Sequence, residues 1–368
     1  MILIVTVILL VPVGLCKQKL DACVINESQT DYSYCDLKGK DLGWFDLKNT
    51  VFTGADLSKS NLEGADLKRS ILEFSDMTWV DARKADLRNA RLKKAILHWA
   101  DFTKSHFSHA ILIEAELNNA TFASVDFREA NLTRSKLISA ILKDADLRKA
   151  DFTEADLSEA NLEGANLERS IFEGAILKKA NLKNTILKNA RFIGADLSQA
   201  DIRESNLKSA DLTRANLEDA NLELSDLEGV KLNGAVLKNA NLRNVRFYNA
   251  DLEGVNFEWT YLKGANFQRS NLKKAIFKGK NLKKLNFKRS ILVQAIFSNA
   301  DLESASFKRA DLRNANLSET NLENADFRKA NLKGADLSGA NVKGADFSLA
   351  VWINGEDCKT PSIGKCIY

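Results

Sequence analysis

The chain has 368 residues, of which 28% are charged, and its formal net charge at pH 7 is +4. It contains only three His, and its Gly residues are scattered singly rather than gathered in a phosphate-binding loop. Catalytic residues usually lie on loops of a scaffold, and this sequence leaves almost no room for long loops. The composition therefore argues against an enzyme, a cofactor and a small-molecule substrate.

The first 16 residues, MILIVTVILLVPVGLC, are a predicted signal peptide. Residues 2–15 form an apolar run that is too short for an ordinary membrane span, and the small residues Gly14 and Cys16 suit cleavage before Lys17. We therefore expect an exported protein, periplasmic or extracellular, with no stable membrane span after cleavage. The alternatives are an uncleaved membrane anchor and a lipoprotein at Cys16, although Leu15 stands where lipoprotein motifs have a small residue.

Four further Cys residues form two close pairs that flank the central part of the chain. They lie in two predicted end caps, residues 17–35 and residues 351–368. In an exported protein such pairs predict disulfides, here Cys23–Cys35 and Cys358–Cys366. The alternative is four free thiols in a cytosolic protein.

Between the caps, residues 36–350 repeat with a period of five. Of the 63 positions numbered in 2 or 7 from Leu37 to Phe347, all but Ala82 are Leu, Phe, Ile, Met or Val. Five-residue steps advance by a net turn of about 140° on an α-helix, and they alternate between the faces of a straight strand. The chain must therefore turn once per pentapeptide and point each of these large centres into a shared interior.

The residue two before each centre is usually Ala or Ser. Residues two apart in an extended segment point the same way, so this small residue also points inward. The residue between them, mostly Asp or Asn, points outward. The main departures from the small residue are Lys40, Phe45, Lys280 and Leu285.

The pattern A-[DN]-[LF]-x-x, as in ADLSEANLEGANLERS at residues 155–170, resembles the pentapeptide repeat family. The resemblance implies an all-β fold, a right-handed quadrilateral parallel β-helix with four pentapeptides per coil. It implies about 16 coils and a rod about 75 Å long at the usual spacing between strands. The C-terminal tail, with Trp352, Gly355 and two Cys, resembles the ending of exported bacterial members.

A coil of twenty residues places Phe residues in two interior columns. One column consists of Phe247, Phe267, Phe287, Phe307, Phe327 and Phe347, and the opposite one of Phe257, Phe277 and Phe297. Stacked rings gain energy beyond simple burial. These columns support the coil length independently of the resemblance.

Basic residues gather on the side of the coil that carries Phe247. The two turn positions after each centre hold 17 basic residues and three acidic ones on that side. A long row of positive charge attracts polyanions; the alternative is a solvated surface that keeps the rod soluble. The candidate polyanion-binding residues, here called the basic stripe, are Lys68, Arg69, Arg148, Lys149, Arg269, Lys288, Arg289, Lys308, Arg309, Arg328 and Lys329.

Outward positions between Ile71 and Ile113 are unusually apolar. The residues Phe74, Trp79, His98 and Trp99 form a candidate contact patch, because exposed apolar clusters often mark binding surfaces. The alternative is decay of the repeat without a function. His106 and His109 have no third ligand type nearby, so no metal site is predicted.

The sequence as a whole favours a non-enzymatic structural or interaction scaffold. Its rigid rod would present faces for protein contact in the cell envelope or outside the cell, with an unknown protein partner. The alternative is binding of a polyanion, an envelope polymer or nucleic acid, through the basic stripe. The resemblance offers a third function, a DNA mimic that binds DNA gyrase. Members of that type have strongly acidic surfaces, whereas this chain is net positive and lacks inserted loops.

Overall fold

The structure of the protein is a computed structural model that describes residues 23, 25 and 29–368. The predicted signal peptide and most of the predicted N-terminal cap lie outside the described residues. The described residues include no helical segment with the length and apolar character of a membrane span.

The strands of the fold are single bridging residues, at positions numbered in 1 or 6 from Asp31 to Val351. Most of them pair in parallel with the residue twenty positions later, as Asp156 does with Ile176. One coil therefore takes twenty residues, and the predicted four-sided parallel β-helix is confirmed. The bridges begin at Asp31, one pentapeptide before residue 36, so Tyr32 occupies an additional centre.

Backbone hydrogen bonds of two kinds build every coil. The Leu157 N–H donates to the Ile176 carbonyl of the next coil at 2.7 Å, and the Glu159 N–H to that of Lys178 at 2.9 Å. The Ala160 N–H closes the turn on the Leu157 carbonyl at 3.0 Å. Bonds between coils and bonds within turns thus satisfy polar groups that the packed interior would otherwise leave without partners.

Most turns combine a left-handed residue with a polar side chain that bonds to the backbone. The second residue after the centre is left-handed, with φ of 54–64° at the non-glycine positions from Tyr34 to Leu349, and Trp259 is the one departure. The Asp or Asn before the centre accepts a hydrogen bond from the backbone two residues later, as Asp156 Oδ1 does from Ser158 N–H at 2.9 Å. Such side chains stabilise turns locally, which explains why Asp and Asn recur there.

The interior is a continuous column of large centres and small residues, and the centres of the repeat region are almost all fully buried. The two predicted Phe columns are confirmed. Phe247 and Phe267 stack with centroids 5.1 Å apart and an interplanar angle of 7°. The columns meet edge to face, as at Phe277 and Phe287, whose rings are 5.8 Å apart at 82°.

The predicted Cys pairs flank the described coils, and the C-terminal tail packs on the last coil. The two predicted Cys pairs lie at disulfide distance, with Cα–Cα separations of 5.7 Å for Cys23–Cys35 and 5.1 Å for Cys358–Cys366. The C-terminal tail folds back on the last coil through two antiparallel bridges, one of which joins Val351 to Asp357.

Candidate functional site

Part of the basic stripe is neutralised by acids on the same side of the rod. Arg148 Nη2 lies 2.6 Å from Asp146 Oδ2, and Lys149 Nζ lies 2.7 Å from Glu129 Oε1. Two other members of the stripe have similar partners, Lys68 with Asp66 and Asp86, and Arg328 with Asp326 and Asp346. Exposed pairs of this kind add little stability, but they reduce the net charge that a ligand meets.

The remaining members of the basic stripe are not neutralised in this way. Among residues 29–368, no carboxylate lies within 4.0 Å of the basic groups of Arg69, Arg269, Lys288, Arg289, Lys308, Arg309 and Lys329. For Lys288 and Lys308 the reason is local, because Asn286 and Ser306 stand where other coils have Asp before the centre. The stripe is therefore unevenly charged, with its free cations concentrated between residues 269 and 329.

The contact patch is partly assembled by the fold. Trp79 and Trp99 stack with centroids 5.3 Å apart at 9°, although they are 56% and 46% exposed. His98 contacts the edge of Trp99 at 5.5 Å and lies 3.1 Å from Glu116. Phe74 follows the centre Leu72 and so lies on the neighbouring side of the coil. The patch is therefore a Trp pair with a histidine, and Phe74 is separate from it.

Two His side chains between Ile71 and Ile113, His98 and His109, each lie close to a Glu carboxylate. His109 Nδ1 lies 3.5 Å from Glu129 Oε2. In the described part of the chain, no group of three or more His, Cys, Asp or Glu side chains is arranged to hold a metal ion.

The comparisons with known proteins identify the repeat. The model of pentapeptide repeats matches in eight copies, at residues 35–73, 70–108, 100–137, 115–153, 130–169, 150–189, 281–318 and 310–348. A second model, described as a pentapeptide repeat region, matches residues 200–277. The chain belongs to the pentapeptide repeat family. The right-handed quadrilateral β-helix is thus the fold of this pentapeptide repeat protein.

Several solved structures are similar to this pentapeptide repeat protein. HetL, involved in heterocyst differentiation regulation in a Nostoc cyanobacterium, is 31% identical over 79% of this chain and 91% of its own, with a TM-score of 0.28. QnrB1, a plasmid-mediated fluoroquinolone resistance protein, is 21% identical over 49% of this chain and 88% of its own, with a TM-score of 0.29. No curated protein sequence matches the chain.

A third similar structure is a pentapeptide repeat protein from the thylakoid lumen of Arabidopsis thaliana. It is 30% identical over 28% of this chain and 69% of its own, with a TM-score of 0.18.

The sequence reasoning missed a second concentration of positive charge. Residues 259–300 contain ten Lys and Arg and neither Asp nor Glu, and because they span two coils, the charge surrounds the pentapeptide rod. We call this segment the cationic band. Summing charge coil by coil, rather than side by side along the rod, would have revealed it.

Several Asp–Arg pairs of the pentapeptide turns make stability depend on pH. The pKa of Asp201 lies below its ordinary value of 3.8, mainly because Arg203 donates hydrogen bonds to the carboxylate at 2.6 and 2.8 Å. The folded carboxylate therefore holds a proton more weakly than the unfolded one. This stabilisation is present above about pH 3.8 and is lost as the pH falls through the folded pKa.

We expect the melting temperature to fall as the pH is lowered below about 4. Changing the five Arg-paired residues Asp81, Asp86, Asp126, Asp201 and Asp326 to Asn should flatten this decline, since their pKa values are all lowered. Asn keeps the turn, because Asn161 Oδ1 accepts the Glu163 N–H at 3.1 Å. Thermal melts over this range check the prediction, and an acid limb of unchanged slope would contradict it.

Proposed function

We propose that the protein is a non-enzymatic scaffold, a rigid rod whose outer faces bind other proteins. The observation that carries this proposal is the exposed stack of Trp79 on Trp99, two large aromatic rings in contact on the surface of the rod. Trp is enriched among residues that dominate binding energy at protein interfaces. The unbroken succession of short turns supports it, because the described repeats contain no insertion that could shape a catalytic pocket.

Capture of partners from an extract of the native host's envelope tests this function. The double variant Trp79→Asn and Trp99→Asn should lose partners that the intact rod retains. Trp44→Asn is the matched control, since Trp44 occupies the same left-handed turn position and is exposed without a stacked Trp. Equal capture by all three proteins would contradict a binding role for the patch.

We propose that the rod acts after export, in the periplasm or outside the cell, with residues 1–16 removed as a signal peptide. The two Cys pairs at disulfide distance support this location, since disulfides persist mainly in oxidising compartments. Mass spectrometry of the protein from its native host should find a mature N-terminus near Lys17. An intact Met1 in the soluble cytosolic fraction would contradict export.

Polyanion binding by the basic stripe is a second candidate function. The observation that favours it is the group of stripe bases from Arg269 to Lys329, of which only Arg328 has an acidic partner in the described part of the chain. Free positive charge attracts phosphate or sulfate polymers. A strongly acidic DNA mimic is less compatible with this surface. The likeness to QnrB1, at 21% identity, supports the fold alone.

Retention on heparin at rising salt tests the stripe. The variant Lys288→Gln with Arg289→Asn should elute at clearly lower salt than the intact protein. The variant Arg148→Gln with Lys149→Asn removes two charges at the same turn positions on the same side, but these bases already have acidic partners. Its elution should change less. Elution of the intact protein below about 150 mM NaCl would contradict this candidate.

A further inference from the structure

The ladder of parallel bridges is interrupted inside the cationic band. Regular pairing predicts a bridge from Tyr261 to Asn281, and the parallel bridges of the described coils do not include it. Lys280 and Leu285 occupy two consecutive inward positions that are mostly Ala or Ser elsewhere. Because both side chains are larger than the space at a coil corner, we attribute the local separation of the two coils to them.

The turn at Trp259 takes part in the same irregularity. Trp259 does not have the positive φ found at this position in the other pentapeptides between Tyr34 and Leu349. The Asn239 N–H accordingly donates to the carbonyl of Trp259, at 3.0 Å, instead of that of Glu258. The carbonyl of Glu258 is thereby released from the ladder.

The ammonium of Lys280 donates hydrogen bonds to two backbone carbonyls at this turn. Its Nζ donates to the Glu258 carbonyl at 3.1 Å and to the Thr260 carbonyl at 2.7 Å. An ammonium has three N–H donors, so one is left for a ligand. Lys280 is half-buried, and burial lowers its pKa although the charge of Glu258 opposes this.

The separated coils border an open cleft of about 570 Å³. Its basic lining consists of Arg243, Lys263, Lys280, Lys283 and Lys284. Arg243 lies over the ring of Tyr261, 5.1 Å from its centroid.

One basic residue of the cleft is neutralised. Lys283 pairs with Glu303 at 2.8 Å and with Asp301 at 3.1 Å. For the other four, Arg243, Lys263, Lys280 and Lys284, no ion pair within 4.0 Å exists among the described residues 29–368.

We propose that this cleft binds a phosphate or sulfate group. Four cations without acidic partners repel one another, and a multiply charged oxyanion between them would replace this repulsion with attraction. Lysine ammonium and arginine guanidinium groups are the usual protein partners of such anions. The site goes beyond the proposed scaffold function, since none of its basic residues belongs to the contact patch or to the basic stripe.

Calorimetric titration of the full chain tests the proposal with two probes, inorganic pyrophosphate and a heparin hexasaccharide. Lys280→Ala should weaken binding at least about tenfold, the loss expected when a hydrogen bond to a charged group is removed. Ala is already the residue at this position in the next coil, at Ala300, so the variant should fold. Lys40→Ala is the matched control, because Lys40 occupies the same repeat position as Lys280 but is exposed to solvent.

Lys263 and Lys284 are exposed, so Lys263→Ser and Lys284→Asn should not disturb the fold. These two variants test the cleft even if Lys280→Ala melts at a lower temperature. Weakened pyrophosphate binding in them would show that the cleft takes a free small anion. Weakened heparin binding alone would assign it to a group carried on a polymer. The proposal is overturned if neither probe binds the intact chain, or if the cleft variants bind as tightly as Lys40→Ala.

Discussion

Phe287→Asp is expected to unfold the middle coils of the rod. Phe287 is fully buried and stacks on Phe267 at 5.2 Å and on Phe307 at 5.1 Å. The variant loses these contacts and places a carboxylate in an apolar column without a partner. We expect a loss of more than about 5 kcal/mol in the free energy of unfolding, with the cavity and the buried charge both contributing. Circular dichroism melts measure it.

Lys288→Asp, at the adjacent position in the chain, is the control. Lys288 points outward and makes no ion pair among the described residues, so its melting temperature should hardly change. Equal destabilisation by the two variants would contradict the assignment of Phe287 to the interior.

Deleting residues 354–368 is expected to make the rods associate end to end. The deleted segment supplies two antiparallel bridges to the last coil, Asp346–Ile363 and Val351–Asp357. The Phe347 N–H also donates to the Ser362 carbonyl at 2.8 Å. Without residues 354–368, a row of unpaired backbone groups and the apolar interior of the last coil would face solvent. Such an open end is a template for association with another rod. Size-exclusion chromatography with light scattering should show a higher mass than the intact chain, together with a lower melting temperature.

The double variant Cys358→Ser with Cys366→Ser tests the disulfide of the tail separately from its backbone bridges. It keeps the bridges of the tail and lacks only the link, so it should melt at a lower temperature without associating. A disulfide typically contributes about 2–4 kcal/mol. A truncated chain that keeps the mass and melting temperature of the intact protein would show that the tail does not cap the rod.

Much of the fold followed from spacing alone. A five-residue period fits neither a helix nor a strand, so the large centres and small inward residues had to line one interior. The coil of four pentapeptides was implied by the family resemblance, and the Phe columns at twenty-residue intervals supported it. Cys23, Cys35, Cys358 and Cys366 could be paired because they lie close in sequence at the two ends. The first turn of the repeat did not follow from the spacing, because Tyr32 is not one of the Leu, Phe, Ile, Met and Val residues that mark the other centres.

The sequence by itself determined the repeat, the interior and the direction in which each side chain points, because these depend on period and pleat. Only the tertiary structure decided which basic residues have an acidic partner close to them. Lys149 is neutralised by Glu129, its neighbour on the previous coil, whereas Lys288 has Asn286 nearby in place of an Asp. The cleft at Lys280 also depends on tertiary structure, since a bulky corner residue opens space only by separating the coils stacked above and below it.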